Sequence, residues 1–477
     1  MTRSEVTFGD VNERVAGGAV RPRGGPGSLP RPLSDLPPVV VLPEYRAILD
    51  LVESGCPVIF VTGKAGTGKS TLIRYLREST RKQTVVLAPT GIAALQVGGA
   101  TIHSFFGFPP KIQPESDLKP GADRSLYRSL ELLIIDEVSM LRCDLLDSID
   151  KFLRKNRGSG LPFGGVQLLL VGDLFQISPV TPKHEADVLR AMGYLSRYFF
   201  SAECMRTTRV LPAELSNVFR QTDRGFIDML NLVRTADSVE RVTAELNAKC
   251  FEDLPPATDI TLTSTNAQAD EINRIELERI MPAERVYVGK TDGTFIHDRD
   301  KLPSPMDLRL KVGARVMFTK NGMQWVNGSL GIVRGMDEQS VRVELVTDTR
   351  GTVCTVPPAT WEKYRYEFDE VEKKIVARRA GSYTQIPLML AWAVTIHKSQ
   401  GRTLDRALVD LGQGAFEFGQ TYVALSRCRS IEGLRFARPL RTSDIKCHPM
   451  VKDFYAHLRP LLDSFRAEVE RARVQGA

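Results

Sequence analysis

The 477-residue sequence predicts an α/β protein built on parallel sheets. Three observations carry this. The apolar run Pro57–Val61 reads as a buried strand, enters a glycine-rich turn and leaves it as a helix over Thr71–Glu78. Short apolar strands then alternate with helices at Val85–Leu87, Leu132–Ile135 and Gln167–Val171, the pattern of a sheet covered on both faces. From about residue 285 the pattern changes to short β segments separated by turns, and it reverts near Leu388.

In chain order, residues 1–38 are rich in Gly, Pro and Arg (RPRGGPGSLPRPLSDLPP) and are expected to be a disordered leader, because they cannot bury a core. Tyr45–Glu53 has apolar residues at helical spacing and stops at Ser54-Gly55. The second strand runs into APTGIAALQVGGATIHSFFG, and 108–125 reads as a loop-like surface insertion. The third strand ends in Asp136-Glu137, a helix follows over Cys143–Arg154, and the fourth strand ends in GDLFQISPV. Residues 39–198 are therefore expected to form a first α/β domain.

A second α/β domain is expected to start at 199, with LPAELSNVFRQ as a helix and two more helical stretches to about Cys250. A strand at Ile260–Thr265 and a helix at Ala267–Ile280 complete its first part, 199–284. The segments ARVMFTKNG, GSLGIVRG, SVRVELVT and GTVCTVPP predict a small β-barrel inserted over 285–381, with Met317 and Phe318 in its core and Asn321 and Asn327 in turns. The second domain resumes over 382–447, including Ala407–Leu411. Residues 448–477 form a C-terminal helix whose stripe Val451, Phe454, Tyr455, Leu458, Leu461, Leu462 and Phe465 is expected to pack back on the body.

The composition, 42% hydrophobic and 25% charged, is that of a globular chain. No apolar run has membrane-spanning length, so no membrane partner is expected. The formal charge of +7 favours a polyanionic partner. Seven scattered cysteines without a C-x-x-C pair argue against zinc and for reduced thiols in a cytoplasm.

The chemistry concentrates first in GKAGTGKST, which fits G-x-x-x-x-G-K-[ST] in the strand–loop–helix context the motif needs. Gly63, Lys64, Ala65, Gly66, Thr67, Gly68, Lys69, Ser70 and Thr71 are the candidate polyphosphate cradle: close backbone N–H groups, the Lys69 ammonium between β- and γ-phosphates, and the Ser70 hydroxyl on Mg2+. Two acids close the apolar strand of LLIIDEVSM. Asp136 is assigned to Mg2+ and its water, Glu137 to the general base that polarises the attacking water. Gln176, after the next strand, is a candidate to orient water or sense the γ-phosphate; the alternative is a structural glutamine beside a capping Asp173. Arg220 and Arg427 are candidate cations for transition-state charge. Thr90, Gly91, Thr101, His103 and Ser104 are small donors suited to nucleic-acid phosphates. Phe105, Phe106 and Phe108 either stack on bases or belong to the core. Lys398 is a candidate phosphate contact, and His103 and His397 lack spaced partners for a metal.

These blocks, GKAGTGKST, APTGIAALQVGGATIHSFF, LLIIDEVSM, LVGDLFQISPV, LSNVFRQ, AWAVTIHKSQGRTLD and YVALSRCRS, resemble in order those of the Pif branch of superfamily-one DNA helicases, relatives of RecD-type helicases. The resemblance spans about 40 to 440. It implies two RecA-like motor domains with ATP between them and 5′→3′ movement on single-stranded DNA. It implies Lys69, Ser70, Asp136 and Glu137 in the first domain's nucleotide site, and Arg220 and Arg427 reaching from the second. It makes Gln176 a coupling residue, puts Thr395, His397, Lys398, Ser399 and Gln400 on DNA and the interdomain seam, and places Gly401 at the nucleotide. One departure concerns the base: members usually carry a glutamine upstream of the phosphate loop, whereas LPEYRAILDLVESG offers Glu44, Tyr45 and Arg46.

The reading is an ATP- and Mg2+-dependent helicase acting on single-stranded, forked or structured DNA. The alternatives are a translocase that strips proteins with little unwinding, and a scaffold that uses ATP as a switch.

Overall fold

The computed structural model describes residues 39–119, 121, 124–179, 181–252, 260–297, 302–346 and 351–475. The leader at 1–38 lies outside the described residues.

The expected parallel sheet is present and has six strands: β1 (Val58–Gly63), β2 (Thr84–Ala88), β3 (Ala100–Thr101), β4 (Leu132–Ile135), β5 (Gln167–Gly172) and β6 (Val210–Leu215), in the order β3-β2-β4-β5-β1-β6. All its pairings are parallel. The middle strands are buried along their whole length, which is why they read as unbroken apolar runs. Val58 and Phe60 point into one core layer, Ile59 and Val61 into the other. The helix after β4 runs Cys143–Arg157; Asp144 in its first turn, and Arg154, Lys155 and Arg157 in its last, complement its dipole.

The sixth strand corrects the sequence reading. LPAELSNVFRQ, expected to be helical and to open the second domain, begins as β6 of the first sheet. Pro212 has no N–H to give a second neighbour, so the strand sits at the sheet edge, paired only to β1. Ala213 and Leu215 enter the core by the period-2 alternation that a helical count overlooks. The first sheet thus extends past residue 198.

A second, four-stranded parallel sheet is built from Thr261–Thr263, Ala393–Thr395, Ala407–Asp410 and Leu434–Phe436. Helices Arg224–Thr235 and Val239–Cys250 pack on it in one core. Between its strands the chain makes a five-stranded antiparallel sheet that includes Arg315–Phe318 and borrows Leu388–Leu390 from beyond 381. Met317 and Phe318 are fully buried as expected, and the Asn327 N–H donates to Asn321 Oδ1 at 2.7 Å in the turn. Not every strand here is short: Ala359–Asp369 and Lys374–Gln385 form a long hairpin. Its Tyr366 Oη accepts from the Val86 N–H at 3.3 Å. That N–H lies where β2 outruns the two-residue β3 and has no strand partner on that side.

The C-terminal helix, Pro449–Gln475, does pack back. Val451, Leu458 and Leu462 join the core on one face of the first sheet, and Phe465 and Val469 the core on the other. The helix therefore wraps the β6 edge, and each such aromatic or leucine contributes about 1.5–3 kcal/mol of burial. Leu461, counted in the stripe, is exposed. Among the described residues no helix is long and apolar enough to cross a membrane.

Candidate functional site

The site begins where β1 ends and helix Lys69–Ser79 starts. Gly66 and Gly68 take φ of +81° and +86°, a region that favours glycine. A Cβ at Gly66 would also lie 2.5 Å from Arg220 Cβ. Lys69 Nζ donates to the carbonyls of Gly63 (2.7 Å) and Lys64 (2.9 Å), so the ammonium is folded back into its own loop. Burial lowers its pKa, opposed by the charges of Asp173, Glu137 and Asp136. The Ala65 N–H donates to Tyr422 Oη, and the Thr67 hydroxyl to the Lys64 carbonyl. Ser70 and Thr71 are exposed at the helix start.

Asp136 and Glu137 follow β4, which is separated from β1 by β5. Burial, and then the Glu137 charge, push the Asp136 carboxyl up to about 7. Glu137 has φ +48°, a strained conformation for a residue with a side chain, costing on the order of 1–3 kcal/mol. Burial raises its pKa; Lys69, Arg427 and a hydrogen bond from Gln400 counter that rise.

Gln176 is buried, and its Oε1 accepts from Gln400 Nε2 at 3.3 Å. The same Nε2 donates to Glu137 Oε2 at 2.9 Å. Asp173, beside it, is not merely a cap: its carboxylate meets the Arg234 guanidinium twice, at 2.7 and 3.1 Å, and both groups are buried. Burial would raise Asp173, but the Arg234 charge and hydrogen bonds hold it below the usual carboxylate range. Arg234 also lies 4.1 Å from the centre of the Phe175 ring. That ring stacks on Tyr455 of the C-terminal helix at 4.7 Å.

Arg220 donates to Thr403 Oγ1 and to the Ser426 carbonyl, each at 3.1 Å. Arg427 donates to the Val423 carbonyl (2.8 Å) and Ser426 Oγ (2.9 Å), with longer contacts to the carbonyls of Ser399 and Arg402. These partners are neutral oxygens. Burial, then the neighbouring Arg220 charge, drive Arg427 down to about 9. A half-buried guanidinium beside the phosphate loop, Arg220, with the buried Arg427 close to it, forms a ready anion site.

The nucleic-acid candidates divide. Thr90 and Thr101 cap short helices, their hydroxyls accepting from Ala93 N–H and Ser104 N–H, while Gly91, His103 and Ser104 retain exposed surface nearby. Phe105 does not fit its assigned stacking role. It is 8% exposed and makes edge contacts with Phe106, Tyr127 and Tyr366, and Phe106 and Phe108 are core rings too. The helix Ile102–Phe106 turns its aromatic side inward because that is the side facing the sheet. Thr395 is likewise buried, and its hydroxyl accepts the Lys398 N–H at 3.3 Å, so it shapes the 395–401 turn from within. His397 and Lys398 are half-buried. Gly401, expected at the nucleotide, has φ +79° and abuts Gln96: a Cβ there would meet Gln96 Oε1 at 3.0 Å. The two stretches therefore meet at this seam.

Four groups at the site escaped the sequence reading. Gln400 was assigned to the seam but not to Glu137, and Arg234 and Tyr422 carry no motif that announces their reach. Phe219 is 60% exposed beside the loop, its N–H donating to the Gly66 carbonyl. Glu44, where a glutamine was sought, is buried and accepts from Ser216 Oγ and Asn217 Nδ2, each at 3.1 Å. Tyr45 Oη donates to the Gly68 carbonyl at 3.0 Å.

Comparison with known proteins agrees with this geometry. The sequence model for PIF1-like helicases matches residues 43–243. The Bdellovibrio bacteriovorus ATP-dependent DNA helicase Pif1 is 34% identical, covering 88% of this chain and 92% of that one. The chain belongs to the PIF1-like helicase family. A crystal structure of Bacteroides sp Pif1 in complex with ADP-AlF4 superposes with a TM-score of 0.80 at 36% identity, over 87% of this chain and 96% of that one. The Candida albicans Pif1 structure gives 0.66 at 30% identity, over 88% of this chain and all of that one. The Danio rerio ATP-dependent DNA helicase PIF1 is 37% identical over 83% of this chain, which spans 62% of its length; for the Homo sapiens protein the span is 63%.

Proposed function

We propose that the chain is an ATP-dependent DNA helicase that translocates 5′→3′ on single-stranded DNA and opens duplexes, forked or structured DNA among them. The observation that carries this is a pair of neighbouring guanidinia, half-buried Arg220 beside the phosphate loop and buried Arg427 next to it, whose hydrogen-bond partners are neutral oxygens. A polyphosphate would supply the missing charge. Family membership supports the coupling to DNA, as do a structure of Bacteroides Pif1 bound to single-stranded DNA and one of two Pif1 helicases at forked duplex DNA.

The six- and four-stranded parallel sheets are read as two RecA-like motor units. Residues 285–381 are read as a barrel-like insertion in the second, and 448–477 as a helix tethered to the first. In this reading Lys69 leaves its loop carbonyls for the β- and γ-phosphates. Glu137 takes the proton of the attacking water, and Gln176 aligns that water. Arg220 and Arg427 meet the charge that develops on the transferring phosphoryl group; such arginines are worth roughly 10³–10⁵ in kcat. Ser70 and Asp136 fit Mg2+, because a divalent cation would stabilise the Asp136 carboxylate that burial and the Glu137 charge disfavour. When bound, the ion would neutralise phosphate charge. The surfaces around Thr90–Ser104 and His397–Lys398 are read as one single-strand track across both units. A cytoplasmic location is consistent with seven free cysteines.

The test is a strand-polarity assay with ATP on duplexes carrying a 5′ or a 3′ single-stranded tail. The 5′-tailed substrate should open and Lys69→Ala should abolish opening. Exclusive opening of the 3′-tailed substrate would overturn the assigned direction.

A further inference from the structure

We propose that Gln400 is a brake on ATP hydrolysis that single-stranded DNA releases. The inference rests on the helicase reading above and assigns that site's regulation.

A general base must offer a lone pair to the water it activates. Glu137 Oε2 already accepts a hydrogen bond from Gln400 Nε2 at 2.9 Å. The same amide nitrogen donates to Gln176 Oε1 at 3.3 Å. One side chain thus occupies both groups assigned to the attacking water. The donated hydrogen bond also favours the ionised carboxylate, which makes Glu137 a weaker base.

Gln400 belongs to the other sheet. It lies on the turn that follows Ala393–Thr395, one residue from the buried Ser399 and two from the half-buried Lys398. That turn is internally bonded: Lys398 N–H to Thr395 Oγ1, Ser399 N–H to the Thr395 carbonyl, Arg402 N–H to the Ser399 carbonyl. It therefore moves as a unit. Its far end, Gly401, abuts Gln96, the last residue of the helix Gly91–Gln96, which Thr90 caps at its other end. A single strand drawn across Lys398 and the Thr90–Ser104 surface would load both sides of this contact. The displacement would withdraw the Gln400 amide from Glu137 and leave Gln176 free to align water. Gln400 is a positioning residue here, acting through Glu137 and Gln176.

Linkage fixes the signs. If DNA must break the Gln400–Glu137 contact, removing that contact tightens DNA binding by the free energy of the contact, and it raises hydrolysis without DNA by a factor that reciprocity does not tie to the binding change. The perturbation is Gln400→Met, which keeps side-chain length and loses the donor, with Gln400→Ala as a second variant should the first misfold. Measured with the full chain, wild-type hydrolysis is stimulated by an oligothymidine strand. In Gln400→Met the DNA-free kcat should rise about tenfold, the shift expected from losing one charge-assisted hydrogen bond. The kcat at saturating DNA should stay near wild type, so the stimulation ratio collapses. Nucleotide-free affinity for the oligothymidine, read by fluorescence anisotropy, should rise as well. A merely structural role would lower the melting temperature and move neither ratio. An unchanged or lower DNA-free kcat, or weaker DNA binding, overturns the brake. A wild-type chain without DNA-stimulated hydrolysis would instead refute the helicase reading itself.

Discussion

Arg427→Met should stabilise the nucleotide-free protein while nearly abolishing hydrolysis. The side chain is 1% exposed and carries its charge among neutral partners, with the Arg220 charge close enough to oppose it. Its fall from 12.5 to about 9 corresponds to about 5 kcal/mol against the charged form, at 1.36 kcal/mol per pH unit. Removing the guanidinium leaves the Val423 carbonyl and Ser426 Oγ without their short donors, which costs about 1–3 kcal/mol each at most. The Val423 carbonyl keeps a donor, because Ser426 Oγ donates to it at 3.0 Å, and that bond leaves the Ser426 hydroxyl partnered. A net gain of about 1–3 kcal/mol is expected, in line with replacing other buried charges by apolar side chains of similar length. ADP or a non-hydrolysable ATP analogue should narrow the gap, since only the wild type gains the missing counter-charge. The assay is thermal melting of both proteins with and without nucleotide, alongside DNA-stimulated kcat, where a loss on the order of 10³ is expected. A variant that melts well below wild type yet keeps most of its kcat would refute the assignment.

Glu137→Gln should retain ATP binding and lose turnover, and Lys69→Ala should lose turnover as well; filter binding and phosphate release separate the two effects, and near-normal turnover in Glu137→Gln would remove Glu137 as the base. Arg234→Ala should cost about 3–5 kcal/mol by stranding the Asp173 carboxylate, whereas Asp173→Asn with Arg234→Met should recover much of that in urea melts. Because Asp173 is held low, the pair's contribution is complete above the carboxylate's unfolded value near 4 and is lost as pH falls through the lower folded value, so the wild-type advantage over the double variant should shrink only at strongly acid pH. ATP and GTP should give kcat/KM values within about tenfold of each other, since Glu44 is taken by Ser216 and Asn217 and the exposed Phe219 ring would stack on either base without distinguishing them; a strong ATP preference would mean another group reads the base. Lys398→Ala should weaken single-strand binding and reduce the salt slope by about one or less, and an unchanged slope in a titration series would take Lys398 off the track.

The sequence alone determined the phosphate loop, the paired acids after β4 and the parallel-sheet class. Each is written in consecutive residues: a glycine-rich turn has its conformational demand in its own composition, and a fully buried strand in an unbroken apolar run. Contacts between distant segments have no such local signature. LPAELSNVFRQ carries enough helix-compatible residues to read as a helix, and the free edge of β1 made its first half a strand instead. Phe105, Phe106 and Phe108 have the composition of a base-stacking cluster. Only the packing of Tyr127 and Phe152 against them assigned those rings to the core. The Arg234–Asp173 pair joins residues 61 apart, and the Gln400–Glu137 contact joins residues 263 apart. Tertiary structure decided both, because a side chain's partner across a seam depends on how two sheets are set against each other, and neither segment encodes that by itself.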